Sequence, residues 1–392
     1  MALAGLKVIE FGGLAPGPFA GLVLADNGAA VIRVDRPGPS SGDVLCRGKR
    51  SIAVDSKVPG GRELLKKMIA SADVVIDPFR PGVMERLGLG PEVFLGDVGL
   101  NRRLVYARIV GFPRTGPHKD MAGHDLNYVA LSGVLSMLPG RSKPAFPLNI
   151  LADFAGGGLI CAAGILLALF ERERSGKGQV VNADMVSGSR YVSIFPLIHG
   201  LNPNSPIMGN TNRGSNLLDG GSPFYNLYTC KGGGWMSVGC LEPQFFKVFL
   251  ELFVKSIPAD LSVDGWKPTL SSQLNCDEWP RFFEFLEKGF MTNTKDYWTR
   301  TFHGTEACVV PVLSPKEAGA LAGSLLPEAH PVVKNHSIPG ASQVAQAQPS
   351  ALNPGEHTDE ILEEFSVGDD EKRALVEAGA ICKTTTRIRA KL

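Results

Sequence analysis

Lys7-Val8-Ile9-Glu10-Phe11-Gly12-Gly13-Leu14-Ala15-Pro16-Gly17-Pro18, followed by Ala30-Val31-Ile32-Arg33-Val34-Asp35, is the stretch that decides the fold class. The first apolar run reads as a strand, the Gly/Pro cluster as a tight turn, residues 18–27 as a helix and the second run as another strand. Working outward, residues 52–54, 74–76, 104–109 and 179–183 repeat the strand pattern. Residues 61–70, 125–135 and 153–172 carry helical patterns between them. Strands alternating with helices predict an α/β fold, a doubly wound, Rossmann-like parallel sheet covered on both faces. Ligands in such a sheet sit at the carboxyl ends of the strands.

The pattern changes past residue 200. Residues 201–221 are rich in Asn, Gly, Ser and Pro, which predicts a linker. A hairpin around Lys231-Gly232-Gly233-Gly234, an aromatic-rich helix over 279–290 and a strand over 308–313 predict a second, smaller α+β domain. Residues 326–354 are loop-rich, and 358–365 and 370–378 read as terminal helices. The expected division is a large domain over 1–200, a linker over 201–224, a small domain over 225–315, and a linker with terminal helices over 316–392.

Bulk properties narrow the function. The 392 residues are 44% hydrophobic and 20% charged, an ordinary soluble composition, and the formal net charge of +1 offers nothing to nucleic acid or a membrane surface. Seven scattered cysteines without a C-x-x-C pair predict reduced thiols and no zinc site. The uncharged run 154–170 is shorter than a bilayer span and contains Gly156-Gly157-Gly158, so a buried helix is expected and no membrane span. The terminal Ala390-Lys391-Leu392 is a close variant of the S-K-L peroxisome address, which an import receptor reads.

Five features could carry chemistry. The first is the loop 12–18. It is not G-x-G-x-x-G, and its prolines remove donors that a pyrophosphate would use. Asp35 stands where a dinucleotide fold puts its ribose-binding acid, but Arg36 follows and favours a phosphate, so a nicotinamide dehydrogenase matches poorly. The second is a set of cations near strand ends, Arg36, Lys49, Arg50, Arg80, Arg86 and Arg108. They suit the phosphates of coenzyme A, and they equally suit a solvated surface. The third is Gly123-His124-Asp125-Leu126-Asn127-Tyr128, which looks like a helix start. There the backbone N–H of Asp125 could hold an enolate oxyanion and His124 could act as a base, while a capping Asp beside a surface His fits the same spacing. The fourth is Asp153 before the glycine run, either a functional carboxylate or another cap. The fifth is Glu242-Pro243-Gln244, which also reads as an ordinary helix start.

Taken together, these motifs resemble one family. Gly13-Leu14-Ala15-Pro16-Gly17-Pro18-Phe19, Arg33-Val34-Asp35-Arg36-Pro37-Gly38 and Arg47-Gly48-Lys49-Arg50-Ser51 occur in the order seen in the α-methylacyl-CoA racemases of the class III (CaiB/BaiF-type) CoA-transferase superfamily. Arg80-Pro81-Gly82-Val83-Met84-Glu85-Arg86-Leu87, the His124 motif, Leu218-Asp219-Gly220-Gly221, the Glu242 motif and Gly355-Glu356-His357-Thr358 continue that order. The resemblance implies a CoA-binding large domain built from both chain ends, a small middle domain, and an interlocked homodimer with its site between one large domain and the partner's small domain. It implies that His124 and Asp153 are the acid/base pair, serving the S and R faces, and that Glu242 pairs with His124. Arg36 and Arg86 would contact coenzyme A, with Arg80, Lys49, Asn127 and Tyr128 as further substrate contacts. Asp125 matches the aspartate nucleophile of the superfamily's true transferases.

The implied activity is racemisation of 2-methyl-branched acyl-CoA thioesters, as in fatty-acid and bile-acid metabolism. It needs no cofactor beyond the substrate's own coenzyme A and no metal. The alternatives are a CoA-transferase using Asp125 and a non-catalytic acyl-CoA-binding protein. The peroxisome is the expected location, with the mitochondrion a second because relatives occur there. One departure, Phe112-Pro113-Arg114-Thr115-Gly116-Pro117, bears on acyl preference.

Overall fold

A computed structural model describes residues 1–39, 42–140, 142–209, 212–333 and 351–382. The chain forms two compact units. One comprises Met1–Val134, Pro147–Val192 and Glu328–Leu392, and the other Leu135–Phe146 and Ser193–Pro327. Residues 201–224, expected as a linker, belong to the second unit. There Asp219 accepts hydrogen bonds from the backbone of Gly214 and Asn216, giving the segment its own polar core. The terminal Ala390-Lys391-Leu392 lies outside the described residues.

In the first unit the elements run β1 (Lys7–Phe11), α1 (Pro16–Asp26), β2 (Ala30–Asp35), β3 (Lys49–Ala53), α2 (Pro59–Ala70), β4 (Val74–Asp77), α3 (Val83–Arg86), α4 (Pro91–Phe94) and β5 (Val105–Val110). Then come α5 (Asp125–Ser132), a π-helical segment Ile150–Leu159, α6 (Ile160–Ser175), β6 (Gln179–Asp184) and α7 (Met185–Val192). The six strands are all parallel, in the order β3-β2-β1-β4-β5-β6. Val8, Ile9, Ile32, Val74, Val75 and Ile76 are fully covered, as a sheet buried on both faces requires. The order reverses at β1, so the crevice beyond the ends of β1 and β4 is where such a sheet takes its ligand.

In the second unit α8 (Ile194–Gly200) precedes β7 (Tyr225–Thr229), β8 (Trp235–Gly239), α9 (Pro243–Lys255), α10 (Trp279–Phe290), α11 (Lys295–Phe302), β9 (Val309–Pro311) and α12 (Pro315–Ala322). The strands form an antiparallel sheet, β7-β8-β9, whose inner face packs Tyr228, Met236 and Val238 on an aromatic core that includes Phe253, Phe290 and Trp298. Two last helices, α13 (Thr358–Glu364) and α14 (Asp369–Glu377), belong to the first unit, where α13 packs on β3 and Leu375 of α14 lies against Gly60 of α2. The amide of Asp55 donates to the Ala380 carbonyl at 2.8 Å, and the amide of Gly355 to the Ser51 hydroxyl at 3.0 Å.

The stretch Ile150–Ser175 is long and apolar enough, by composition alone, to cross a membrane. Here it packs on α1, α7, β5 and β6 with Cys161, Ala162, Ile165, Ala168 and Leu169 buried. The sequence predicted a buried helix, but one side of it is open. Leu167 and Phe170 are 71% and 67% exposed.

Lys49 overturns its expected role. Its ammonium is wholly enclosed, 2.7 Å from the Glu10 carboxylate and 2.8 Å from the Pro18 carbonyl, so it cannot meet a phosphate. A Cβ at Gly21 would fall 1.7 Å from the same Glu10 oxygen, so α1 lies directly on the pair. Burial pushes Glu10 up to about 7 against the pull of Lys49. Replacing Lys49 by Met leaves Glu10 buried without its counter-charge and should destabilise the fold by about 3–5 kcal/mol at alkaline pH, where the parent holds Glu10 ionised. Glu10 would then titrate further above its ordinary value of 4.5. The unfolded chains titrate alike, so the loss should be fullest above the variant's raised value and should shrink as pH falls to about 7 and below, where Glu10 carries its proton in both folded proteins. Denaturant melts of both proteins across pH check this. A loss that does not change with pH would refute it.

Candidate active site

The loops after β2, β4 and β5 leave the sheet at one edge, and most of the expected site residues lie on them. Asp35, at the end of β2, is 5% exposed, 2.9 Å from Arg33 and 2.6 Å from the Ser51 hydroxyl. It is structural and has no free oxygen edge for a ribose. Arg36 follows it into solvent, its guanidinium 6.0 Å above the Phe79 ring. Arg80, next to Phe79, is exposed and reaches the Asp120 carbonyl at 3.4 Å, and Arg86 is exposed on α3. Among the described residues, no carboxylate forms an ion pair with Arg36, Arg80 or Arg86. Arg50 is held by Glu360 and Glu364, and Arg108 by Glu85 at 2.7 Å. Three of the six sequence-selected cations therefore remain available to an anionic ligand.

The loop from β5 delivers His124. It stands at the N-cap of α5 with extended backbone, its side chain exposed. The Asn127 side-chain oxygen accepts the His124 backbone N–H at 3.1 Å. The Tyr128 hydroxyl donates to the Gly123 carbonyl, and its ring packs edge-to-face on Phe112 at 5.0 Å. Asn127 and Tyr128 thus shape the loop that presents His124, and the Tyr128 ring and hydroxyl are both engaged within the protein. Helix geometry leaves the first-turn N–H of Asp125 without an intrahelical acceptor, at the positive end of the helix dipole.

Asp153 lies on the π-helical segment, not in an ordinary helix as the sequence predicted. Such widened turns recur at functional sites. One Asp125 carboxylate oxygen accepts the backbone N–H groups of both Ala152 and Asp153 at 2.8 Å, joining this segment to α5. The Asp153 carboxylate is half-buried and accepts from the Asn149 amide at 3.2 Å. Burial raises its proton affinity above that of an ordinary aspartate and the negative Asp125 adds to this, while the Asn149 hydrogen bond and His124 oppose it. His124, Asp125 and Asp153 thus share one electrostatic neighbourhood. Asn149 was missed from the sequence. Its signal was the spacing of four, which puts it one turn before Asp153.

The segment sits tightly on its neighbours. A Cβ at Gly188 of α7 would fall 1.8 Å from the Gly156 carbonyl, and one at Gly156 would fall 2.5 Å from the Ser189 nitrogen. The two backbones touch, and only glycines allow it. Glu242 stands exposed at the N-cap of α9, in the other unit. Among the described residues, no group of three or more His, Cys, Asp or Glu is placed to hold a metal ion.

The model of the CoA-transferase family III matches residues 3–350. Alpha-methylacyl-CoA racemase of Homo sapiens is 45% identical over 382 residues, 95% of this chain and 95% of that protein. The Mus musculus protein of that name is 44% identical over 385 residues, with the same shares covered. The crystal structure of a CAIB/BAIF family protein from Brucella suis shares the fold, with a TM-score of 0.68 at 22% identity, over 93% of this chain and 99% of the other.

Gly188→Ala should push α7 off the π-helical segment and destabilise the unit by about 1–3 kcal/mol. A displacement near 1 Å at Asp153 should cost activity on the order of 10²-fold. Thermal melts and the turnover assay below check both. Unchanged turnover in a folded variant would separate this contact from the site.

Proposed function

This chain belongs to the CoA-transferase family III, and from that premise we propose that it is an isomerase, a racemase of 2-methyl-branched acyl-CoA thioesters. One observation carries the reading. Asp153, a half-buried carboxylate with raised proton affinity, and the exposed imidazole of His124 stand on two elements that a single carboxylate ties together. The relatives named alpha-methylacyl-CoA racemase, alike over 95% of their length, support the substrate class.

In this reading the CoA phosphates lie on Arg36, Arg80 and Arg86, which pair with no carboxylate among the described residues. The thioester carbonyl points at the first-turn N–H of Asp125. One of His124 and Asp153 takes the α-proton from its own face, and the electron pair moves onto the carbonyl oxygen as an enolate. The other residue returns a proton to the opposite face. Positioned acid–base groups contribute about 10²–10⁴-fold each, and an oxyanion donor about 2.7–4 kcal/mol. No cofactor beyond the substrate's own coenzyme A enters the scheme. Glu242 is the proposed partner of His124, on the strength of its motif. The transferase alternative needs a reachable Asp125 carboxylate, and here that residue is only 4% exposed, one oxygen already holding two peptide N–H groups. The outward leucines and Phe170 of α6 support a homodimer, since an apolar face of this kind asks for a cover. The terminal Ala390-Lys391-Leu392 supports import into the peroxisome.

Incubating the protein with a single-enantiomer 2-methylacyl-CoA in D₂O, without an acceptor acid, tests the reading. Proton NMR should show loss of the α-proton signal and growth of the other epimer. His124→Ala and Asp153→Ala should each slow inversion by about 10²-fold or more. If the parent neither exchanges nor inverts, the racemase assignment fails.

A further inference from the structure

The residue before a helix ordinarily caps it, because the first peptide N–H groups lack acceptors. Asn149 precedes the segment bearing Asp153, yet its side chain caps nothing there and turns instead to the Asp153 carboxylate. The cap comes from Asp125, on another helix and 28 residues earlier in the chain than Asp153. The other Asp125 oxygen is buried and has no hydrogen-bond partner among the described residues. An unpaired buried carboxylate oxygen is costly. A cap that served stability alone would be better supplied locally and neutrally.

We propose that the Asp125 side chain is a positioning residue for Asp153, holding the base-bearing turn in fixed register with the N-terminus of α5, where His124 and the proposed oxyanion donor stand. The inference rests on the racemase reading and adds a role for a side chain which that mechanism leaves idle. Asp125 faces two ways. Its backbone N–H points into the proposed oxyanion position, while its carboxylate grips the peptide of Asp153. The site's two halves therefore move as one. The charge acts as well, because it stands beside Asp153 and favours that carboxyl's protonated form. Among the described residues, the other titratable groups facing Asp153 are His124, at the N-cap of α5, and Tyr128, on α5. Helix α1 meets the segment through Pro16 and Phe19, and α7 through Met185, Gly188 and Ser189.

Two variants and both epimers separate this role from simple fold support. Asp125→Ala should slow inversion about 10²-fold. It should still exchange the α-proton of the epimer that faces His124, because that half-reaction needs only His124 and the oxyanion donor. Asp125→Asn keeps an acceptor oxygen for the two peptide N–H groups and removes the charge. It should recover most of the inversion. With the charge gone, Asp153 loses its proton more readily, so the acid limb for the epimer facing Asp153 should move to lower pH. Inversion at the parental rate in Asp125→Ala, or equal loss of exchange from both epimers, would overturn the proposal. So would an unmoved acid limb in Asp125→Asn.

A substrate-free measurement keeps the two readings apart. In ¹⁵N-labelled protein the Ala152 and Asp153 amides should resist hydrogen exchange in the parent and in Asp125→Asn. If Asp125→Ala folds, it should lose that protection. If no protein exchanges either epimer, the racemase reading falls while the amide protection still decides the role of Asp125. Protection kept in Asp125→Ala, or already absent from the parent, refutes it. If Asp125→Ala does not fold, the acid limb and amide protection of Asp125→Asn decide alone.

Discussion

Six parallel strands must send their chain out of the sheet at the same edge, and nearly every feature of the candidate site follows from that constraint. Each loop after a strand arrives beside its neighbours, although its residues are distant in sequence. The order β3-β2-β1-β4-β5-β6 reverses at β1, so the connections leave on opposite faces and open a crevice between the ends of β1 and β4. Arg36 comes from the end of β2 and Phe79 and Arg80 from the end of β4, and they meet there. His124 arrives from the loop after β5, on a helix start aimed out of the sheet.

Burial sorts the charges that this edge gathers. Lys49 and Arg33 look in the sequence as suited to an anion as Arg36 does. Both are instead consumed by buried carboxylates, Lys49 by Glu10 and Arg33 by Asp35 and Asp43. These pairs are nearly water-free, so each partner holds the other in place, and the loss of one would strand a charge. The network reaches Ser51 and through it Gly355, which ties the returning C-terminal segment to β3. The arginines left unpaired are the exposed ones. A ligand phosphate would meet cations whose desolvation cost is small.

The proposed acid/base geometry rests on contacts that have no slack. Gly156 and Gly188 bring two helical backbones together, Asp125 fastens the π-helical segment to α5, and Asn149 steadies the carboxylate of Asp153. The base proposed here must reach one face of a stereogenic α-carbon and needs this kind of support, since reactivity falls steeply with misplacement. The half-buried setting of Asp153 also raises its proton affinity, which suits a group that both takes and returns a proton.

Much of this protein was legible in one dimension. Runs of β-branched residues spaced by helical patterns determined the parallel sheet, because a strand buried on both faces must be apolar along its whole length. The motif around His124 marked a helix start, and Arg36 and Arg80 could be placed just past strand ends. Tertiary structure alone decided which cations are free, because pairing partners such as Glu10 and Lys49, 39 residues apart, meet only across the sheet. It alone replaced the expected start of the Asp153 helix with a π-helical turn, since the packing of Gly156 on Gly188 and the reach of Asp125 are not local properties. It also drew residues 201–224 into the second unit, where hydrogen bonds to Asp219 gave order to a composition that reads as a linker. Local pattern sets elements, because it depends on neighbours a few residues away. The chemistry of a site depends on burial and on partners from elsewhere in the chain, which exist only once the chain has folded.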